Sequence, residues 1–110
     1  MFAPVQFIEK ALKDFEELLT KNLPIPKDSK SNFSKKLALI HCEFNAIHPF
    51  REGNGRIIRL FLDMIVVSLE YNPIDYSKSK IDYYLKACQD GMNKDYKKME
   101  TLIYKGLKKR

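Results

Sequence analysis

Within the segment from Asn54 to Tyr71, ten of the thirteen positions from Ile57 to Leu69 are large and apolar, which restricts where the segment can lie in a folded chain. Its large apolar side chains are Ile57, Ile58, Leu60, Phe61, Leu62, Met64, Ile65, Val66, Val67 and Leu69. A helix that is apolar on all sides has to be surrounded by other elements. The segment is shorter than the ~20 apolar residues of a transmembrane helix and is polar at both ends. The pattern therefore predicts a central, buried helix.

Four further segments have apolar residues spaced by three and four, which is the pattern of an amphipathic helix. They cover approximately residues 4–22, 33–47, 80–89 and 94–107. Pro24, Pro26, Pro49 and Pro73 fall between the segments, and Gly91 lies between the last two, as expected for helix ends. A chain of 110 residues suits one hydrophobic core. We therefore predict a single all-α domain of five helices that covers residues 1–110.

The net charge of +6 is compatible with two interpretations. A lysine-rich solvated surface and a partner that carries phosphate groups both account for it. Nucleic-acid binding would rest on charge alone, so we expect none. The basic cluster at the C-terminus is interpreted as a solvated tail; it consists of Lys105, Lys108, Lys109 and Arg110.

The N-terminus has no signal-peptide pattern, and no apolar run is long enough to span a membrane. Cys42 and Cys88 lie in different helical segments. This placement favours buried thiols in a reducing compartment, although the sequence also permits a disulfide. We expect a cytoplasmic protein with no membrane association.

The segment Gly53-Asn54-Gly55 comes directly before the apolar helix. Two glycines let the backbone approach a ligand closely. The free amides and the dipole at a helix start attract anions, and Arg56 and Arg59 lie within the first turns as candidate phosphate clamps. The alternative is a glycine-rich turn followed by two surface arginines. The sequence at this point supports an anion site without proving one.

Glu52 and His48 lie on the other side of these glycines. A carboxylate beside phosphate groups is reasonable if Mg²⁺ bridges them; alternatively, Glu52 complements the helix dipole. The His48 imidazole near a nucleotide could take a proton from an attacking hydroxyl; alternatively, it is a structural residue at a helix end. Asp63, in the middle of the apolar helix, is interpreted as structural.

The run HPFREGNGRIIR, from His48 to Arg59, resembles the signature of the Fic family, His-x-Phe-x-[Asp/Glu]-Gly-Asn-Gly-Arg-x-x-Arg, at every fixed position. Nearly the whole chain resembles the C-terminal two-thirds of that family's domain. The resemblance implies an all-helical fold. It also implies transfer of AMP from ATP to a Ser, Thr or Tyr hydroxyl of a target protein, with release of pyrophosphate and with Mg²⁺ as cofactor.

The resemblance also implies a role for each site residue. His48 would be the base, Glu52 would hold Mg²⁺, and Phe50 would be a core anchor. The nucleotide and its phosphates would be bound by Gly53, Asn54, Gly55, Arg56, Arg59 and Tyr84, with Tyr83 beside it. Tyr84 and Tyr83 would line the adenine pocket, although core packing explains buried tyrosines equally well.

The chain departs from the family pattern in two ways, and each departure leads to an expectation about its function. The family's upstream β-hairpin flap, which pairs with the target segment, would be absent or truncated, so we expect target docking to be impaired. No Ser or Thr has Glu four residues later, so the family's silencing motif is not encoded here, and a separate antitoxin-like protein could supply inhibition.

Two other functions stay open at this point. One is transfer of phosphate or of another nucleotidyl group, although Gly55 favours AMP transfer over the family's kinase branch. The other is a catalytically silent module that binds nucleotide or a partner protein. Delivery into a host cytosol is also compatible with the sequence.

Overall fold

The computed structural model describes the backbone of residues 5–47 and 54–110, and the side chains of residues 9–47 and 55–110. It contains five α-helices: α1 Val5–Asn22, α2 Lys30–Ile47, α3 Asn54–Ser68, α4 Ile81–Met92 and α5 Lys97–Gly106. A short 3-10 helix, Tyr76–Lys78, lies between α3 and α4. Over these residues there is no β-strand beyond the isolated bridge between Tyr71 and Lys109. The prediction of an all-α fold is confirmed.

Helix α2 is the centre of this fold, because it packs against α1, α3, α4 and α5. Its inward-facing side chains include Phe33, Leu37, Ala38 and Ile40, all of which are buried. Helices α4 and α5 also pack against each other. The hydrophobic core therefore lies around α2.

Helix α3 is not the fully buried helix that its composition predicts. Ile58, Leu62 and Val66, spaced by four residues, are completely buried. Leu60 and Met64, on another side of the helix, are each 63% exposed. They form an exposed apolar stripe with Ile57 and Val67. The prediction was wrong because apolar composition shows which side chains could be buried, whereas actual burial depends on neighbours, and α2 is the described helix that packs closely against α3.

Helices α3 and α4 end in the same hydrogen-bonded motif. The Tyr71 amide donates to the Val66 carbonyl and the Glu70 amide to the Val67 carbonyl, while Glu70 has a φ of 72°. This is a Schellman motif with a non-glycine residue in the left-handed position. Helix α4 repeats it with Lys94 at φ 65°. Helix α3 therefore stops at Ser68 rather than at the predicted Tyr71, and α4 continues past the predicted Gln89.

The start of α2 lies at Lys30, three residues before the predicted start. The Ser29 hydroxyl accepts a hydrogen bond from the Asn32 amide at 3.1 Å, which is the geometry of a serine N-cap. The described helices include none with the length and apolar content that crossing a bilayer requires.

The basic C-terminal segment is tied to the end of α3 rather than free in solvent. The Asn72 amide donates to the Lys108 carbonyl at 2.9 Å, and the Arg110 amide donates to the Glu70 carbonyl at 2.9 Å. The Lys109 ammonium lies 5.9 Å from the centre of the Tyr71 ring. The interpretation as a solvated tail is therefore wrong for the backbone, although the three basic side chains at 108–110 are exposed.

Candidate functional site

The predicted anion site lies at the start of α3, which begins at Asn54. The first amides of a helix have no partner within the helix, and the helix dipole adds a partial positive charge there. Gly55, Arg56 and Arg59 therefore lie within the first turns, as predicted. His48, Phe50, Glu52 and Gly53 lie outside the described residues, so their roles stay predictions.

The Arg59 guanidinium is held against helix α4. Its Nη1 donates a hydrogen bond to the Tyr84 hydroxyl oxygen at 3.1 Å. Its Cζ lies 5.4 Å from the centre of the Tyr84 ring and 5.9 Å from that of Tyr76. Both distances are within the ~6 Å range of cation–π attraction. The guanidinium of the half-buried Arg59 is therefore held in one orientation, whereas the Arg56 side chain is exposed to solvent.

Gly55 leaves room for that guanidinium. A Cβ atom at position 55 would lie 3.2 Å from Arg59 Nη1 and 3.7 Å from Arg59 Cζ. Residues four apart lie one above the other on a helix, so the missing side chain lets Arg59 lie close to the first turn of α3. This packing role is additional to the close backbone approach that the sequence predicted for Gly55.

Tyr84 joins Arg59 to a buried histidine of α2. The Tyr84 hydroxyl lies 2.9 Å from His41 Nε2, and both residues are buried. Burial, followed by the nearby Arg59 charge, lowers the pKa of His41 to about 4, and a hydrogen bond with its own backbone opposes this. His41 is therefore neutral near pH 7. Burial likewise raises the pKa of Tyr84, so its hydroxyl keeps its proton.

A cavity of about 310 Å³ opens beside this trio. Its lining residues are Arg59, Tyr76, Ser77, Ser79, Ile81 and Tyr84. Among the described side chains, the Tyr76 hydroxyl is buried without a hydrogen-bond partner. The volume is at the lower end of the ~300–1,000 Å³ typical of ligand pockets. The cavity can therefore accept a group the size of a nucleobase.

The structure brings Gly55, Arg59 and Tyr84 of the predicted set together. Tyr83 is half-buried against the hydrophobic core and does not belong to the described lining of the cavity, which suits its packing interpretation. No prediction placed Tyr76, Ser77 and Ser79 at the site, because the sequence of a loop does not indicate which helix the loop will face. Ile81 was also not predicted there, because nothing distinguishes it from other apolar residues at the start of a helix such as α4. His41 carried a signal, because it is a histidine within an apolar helix face.

The chain belongs to the Fic/DOC family, whose family model matches residues 1–66. The sequence resemblance to the Fic family is thereby confirmed. A similar curated protein is the probable protein adenylyltransferase y4lH of Sinorhizobium fredii, 38% identical over 87 residues, which are 78% of this chain and 45% of that protein. Another is the protein adenylyltransferase VbhT of Bartonella schoenbuchensis, 27% identical over 106 residues, which are 96% of this chain and 22% of that protein.

Crystal structures of Bartonella proteins have the same fold. The BepC protein of Bartonella tribocorum with bound AMPPNP is 27% identical, with a TM-score of 0.82, over 99% of this chain and 52% of that one. An N-terminal Fic domain from Bartonella quintana with bound ADP is 28% identical, with a TM-score of 0.83, over 99% of this chain and 51% of that one. The chain thus spans about half the length of these two structures and of the Sinorhizobium relative.

Proposed function

We propose that this chain is the nucleotide-binding and catalytic core of a protein adenylyltransferase. It would transfer AMP from ATP to a Ser, Thr or Tyr hydroxyl of a target protein and release pyrophosphate. The observation that carries the proposal is the fixed Arg59 guanidinium, which lies between the start of α3 and a cavity of nucleobase size. The printed names of the curated relatives support the reaction, and the adenine nucleotides bound to the two Bartonella proteins support the substrate.

Each part of the nucleotide has a candidate partner. The base would enter the cavity lined by Tyr76, Tyr84 and Ile81, whose aromatic rings and aliphatic side chain offer apolar contacts. The phosphates would lie at the start of α3, where the backbone amides of Asn54 and Gly55 and the arginines provide positive charge. Gly53 would extend this cradle.

The chemistry would be divided between two residues outside the described ranges. The His48 imidazole would accept the proton of the target hydroxyl, whose oxygen attacks the α-phosphorus while the bond to pyrophosphate breaks. The Glu52 carboxylate is an oxygen ligand of the kind that Mg²⁺ prefers, and the ion would neutralise charge on the phosphates. Arg56 and Arg59 would stabilise the distal phosphates as they leave.

The position of the radioactive label on ATP distinguishes this function from its nearest rival. We expect any label that this chain transfers to proteins of a cell extract to come from α-³²P-ATP and not from γ-³²P-ATP. Transfer from the γ position would instead make the chain a phosphotransferase. The control is His48→Ala, which should reduce transfer by about 10²–10⁴-fold while ATP still binds. Absence of transfer from either position, with ATP bound, would favour a silent nucleotide-binding module.

A further inference from the structure

We infer that His41 is a positioning residue for the nucleotide phosphates, acting through the Tyr84 hydroxyl on the Arg59 guanidinium. The three side chains come from α2, α4 and α3, and they form a continuous chain of hydrogen bonds at 2.9 Å and 3.1 Å. This inference rests on the proposed function, because it assigns Arg59 to the phosphates of ATP. His41 itself would not touch the nucleotide.

The direction of these hydrogen bonds follows from the chemistry of the three groups. A guanidinium can only donate, so the Tyr84 oxygen accepts from Arg59. We assign the single hydrogen of the Tyr84 hydroxyl to His41 Nε2, which is then the unprotonated nitrogen of a neutral imidazole. In this assignment the proton of the imidazole lies on Nδ1.

This tautomer requires the Asn45 amide to be turned over. As placed, Asn45 Nδ2 lies 3.4 Å from His41 Nδ1 and 3.7 Å from the Cys88 sulfur. The orientation of an amide is assigned from its hydrogen bonds, and an Asn45 oxygen turned toward Nδ1 would accept the proton there. The histidine is completely buried, so its ring cannot turn toward solvent.

Arg59 needs such a support because its side chain is long. Fixing an arginine in one orientation costs side-chain entropy. The two tyrosine rings fix the plane beside which the guanidinium lies, and Gly55 gives it space, but neither sets its rotation. The hydrogen bond to the Tyr84 hydroxyl, whose position is fixed, sets that rotation. Charged groups that are positioned before the ligand arrives bind phosphates without further reorganisation.

The test compares the affinity for ATP with the affinity for AMP, which lacks the distal phosphates. We expect Tyr84→Phe and His41→Leu each to weaken ATP binding about tenfold, the effect of one lost hydrogen bond to a charged group. Binding of AMP to the His41→Leu variant should change by less than about twofold, since AMP lacks the distal phosphates and His41 does not line the cavity. His41→Gln should restore most of the ATP affinity, because its amide oxygen can accept from Tyr84.

The Arg59→Ala background separates positioning from general damage. In that background, Tyr84→Phe and His41→Leu should cause no further loss of ATP affinity. Ser34→Ala is the matched control, because Ser34 is also a completely buried polar residue of α2, with its hydroxyl bonded to the Lys30 carbonyl of its own helix. It should leave both affinities unchanged. Equal losses for ATP and AMP, or further loss in the Arg59→Ala background, would make His41 merely structural.

Nuclear magnetic resonance of the imidazole tests the hydrogen-bond chain without nucleotide. The ¹⁵N spectrum of His41 should show a protonated Nδ1 and an unprotonated Nε2, and Tyr84→Phe should shift the Nε2 signal. A protonated Nε2 would overturn the inference. If the spectrum is as expected but Arg59→Ala leaves ATP affinity unchanged, the assignment of Arg59 to the phosphates fails. That result would count against the proposed function rather than against the hydrogen-bond chain.

Discussion

Gly91 of α4 lies directly on Cys42 of α2, so closely that a Cβ atom at position 91 would come within 2.8 Å of the Cys42 Cβ and closer still to its sulfur. Gly91 is the penultimate residue of α4, close to the helix end that was predicted there. The glycine is needed there because two helix backbones approach each other. Burial also raises the pKa of the Cys42 thiol to about 12, so this sulfur is an apolar packing group.

Gly91→Ala should therefore destabilise the fold by about 1–3 kcal/mol, the usual effect of inserting a methyl group into a packed interior. Chemical denaturation measures the free energy of unfolding. The control is Gln89→Ala, an exposed position of the same helix, which should change stability by less than about 0.5 kcal/mol. A Gly91→Ala variant as stable as this control would show that α2 and α4 can separate without loss.

Glu70→Gly should stabilise the protein by about 0.5–1 kcal/mol. A left-handed backbone conformation costs a non-glycine residue about 1–2 kcal/mol, and glycine avoids this cost. Part of the gain is lost because glycine has more conformational entropy in the unfolded chain. Glu70→Ala keeps the Cβ atom and should give no gain. Glu70 is preferred over Lys94 because Lys94 also forms an ion pair with Glu43 at 2.8 Å. Equal unfolding free energies for the glycine and alanine variants would rule out backbone strain at Glu70.

Acid should destabilise the protein through His41. Its pKa is about 4 in the folded protein against 6.5 for the free side chain, so the unfolded chain binds this proton more tightly. The stability that the neutral imidazole contributes is complete above about pH 6.5 and is lost as the pH falls toward 4. The loss should be roughly 2–3 kcal/mol at about pH 4.5.

Unfolding free energies at neutral pH and at about pH 4.5 measure this loss. The His41→Gln variant has no group that titrates at position 41, so its stability should fall less over the same interval. Asp28, Asp75 and Asp90 have lowered carboxyl pKa values, caused mainly by side-chain hydrogen bonds from Lys36, Ser77 and Lys98, respectively. Their contributions are lost only at lower pH. Parallel pH curves for the wild type and the variant would contradict the assignment to His41.

Gly55→Ala should weaken ATP binding by about tenfold, or ~1.4 kcal/mol, because the new methyl group displaces the Arg59 guanidinium. Helix α3 itself should tolerate or favour alanine, which has the higher helix propensity. Calorimetry with ATP and thermal unfolding together separate these effects. If the same substitution in the Arg59→Ala background still weakens ATP binding, Gly55 acts through close backbone approach rather than through Arg59.

Glu52→Ala should weaken ATP binding about tenfold, or ~1.4 kcal/mol, only when Mg²⁺ is present, since its proposed role is to hold the ion. Calorimetric titrations with Mg²⁺ and with a chelator measure the difference. A loss of the same size in both conditions would mean that Glu52 complements the helix dipole instead.

The sequence predicted the helices from periodicity, and it predicted the site from one compact motif. It failed for features that depend on contacts between distant parts of the chain. Leu60 and Met64 have the same apolar character as Leu62 and Val66, and only the position of α2 decides which of them is buried. Helix ends were missed where Glu70 and Lys94 occupy positions that usually carry glycine.

In the candidate site too, local contacts could be predicted from the sequence and contacts between distant residues could not. Gly55 and Arg59 are four residues apart in the motif, so their proximity follows from the helix itself. Tyr84 was included only through the family resemblance, and its contact with His41 joins residues 43 positions apart in the chain. Tyr76 belongs to a 3-10 turn that no periodicity predicted. The arrangement of these aromatic residues around Arg59 is a tertiary property.

The pairing of residues 70–72 with residues 108–110 has a consequence during synthesis. The end of α3 receives its tether only after about forty further residues have left the ribosome, or roughly two to eight seconds at ~5–20 residues per second. During that interval the Glu70 carbonyl and the Asn72 amide lack the partners that they have in the folded protein. The segment carrying Arg59 therefore leaves the ribosome before the residues that secure the far end of its helix.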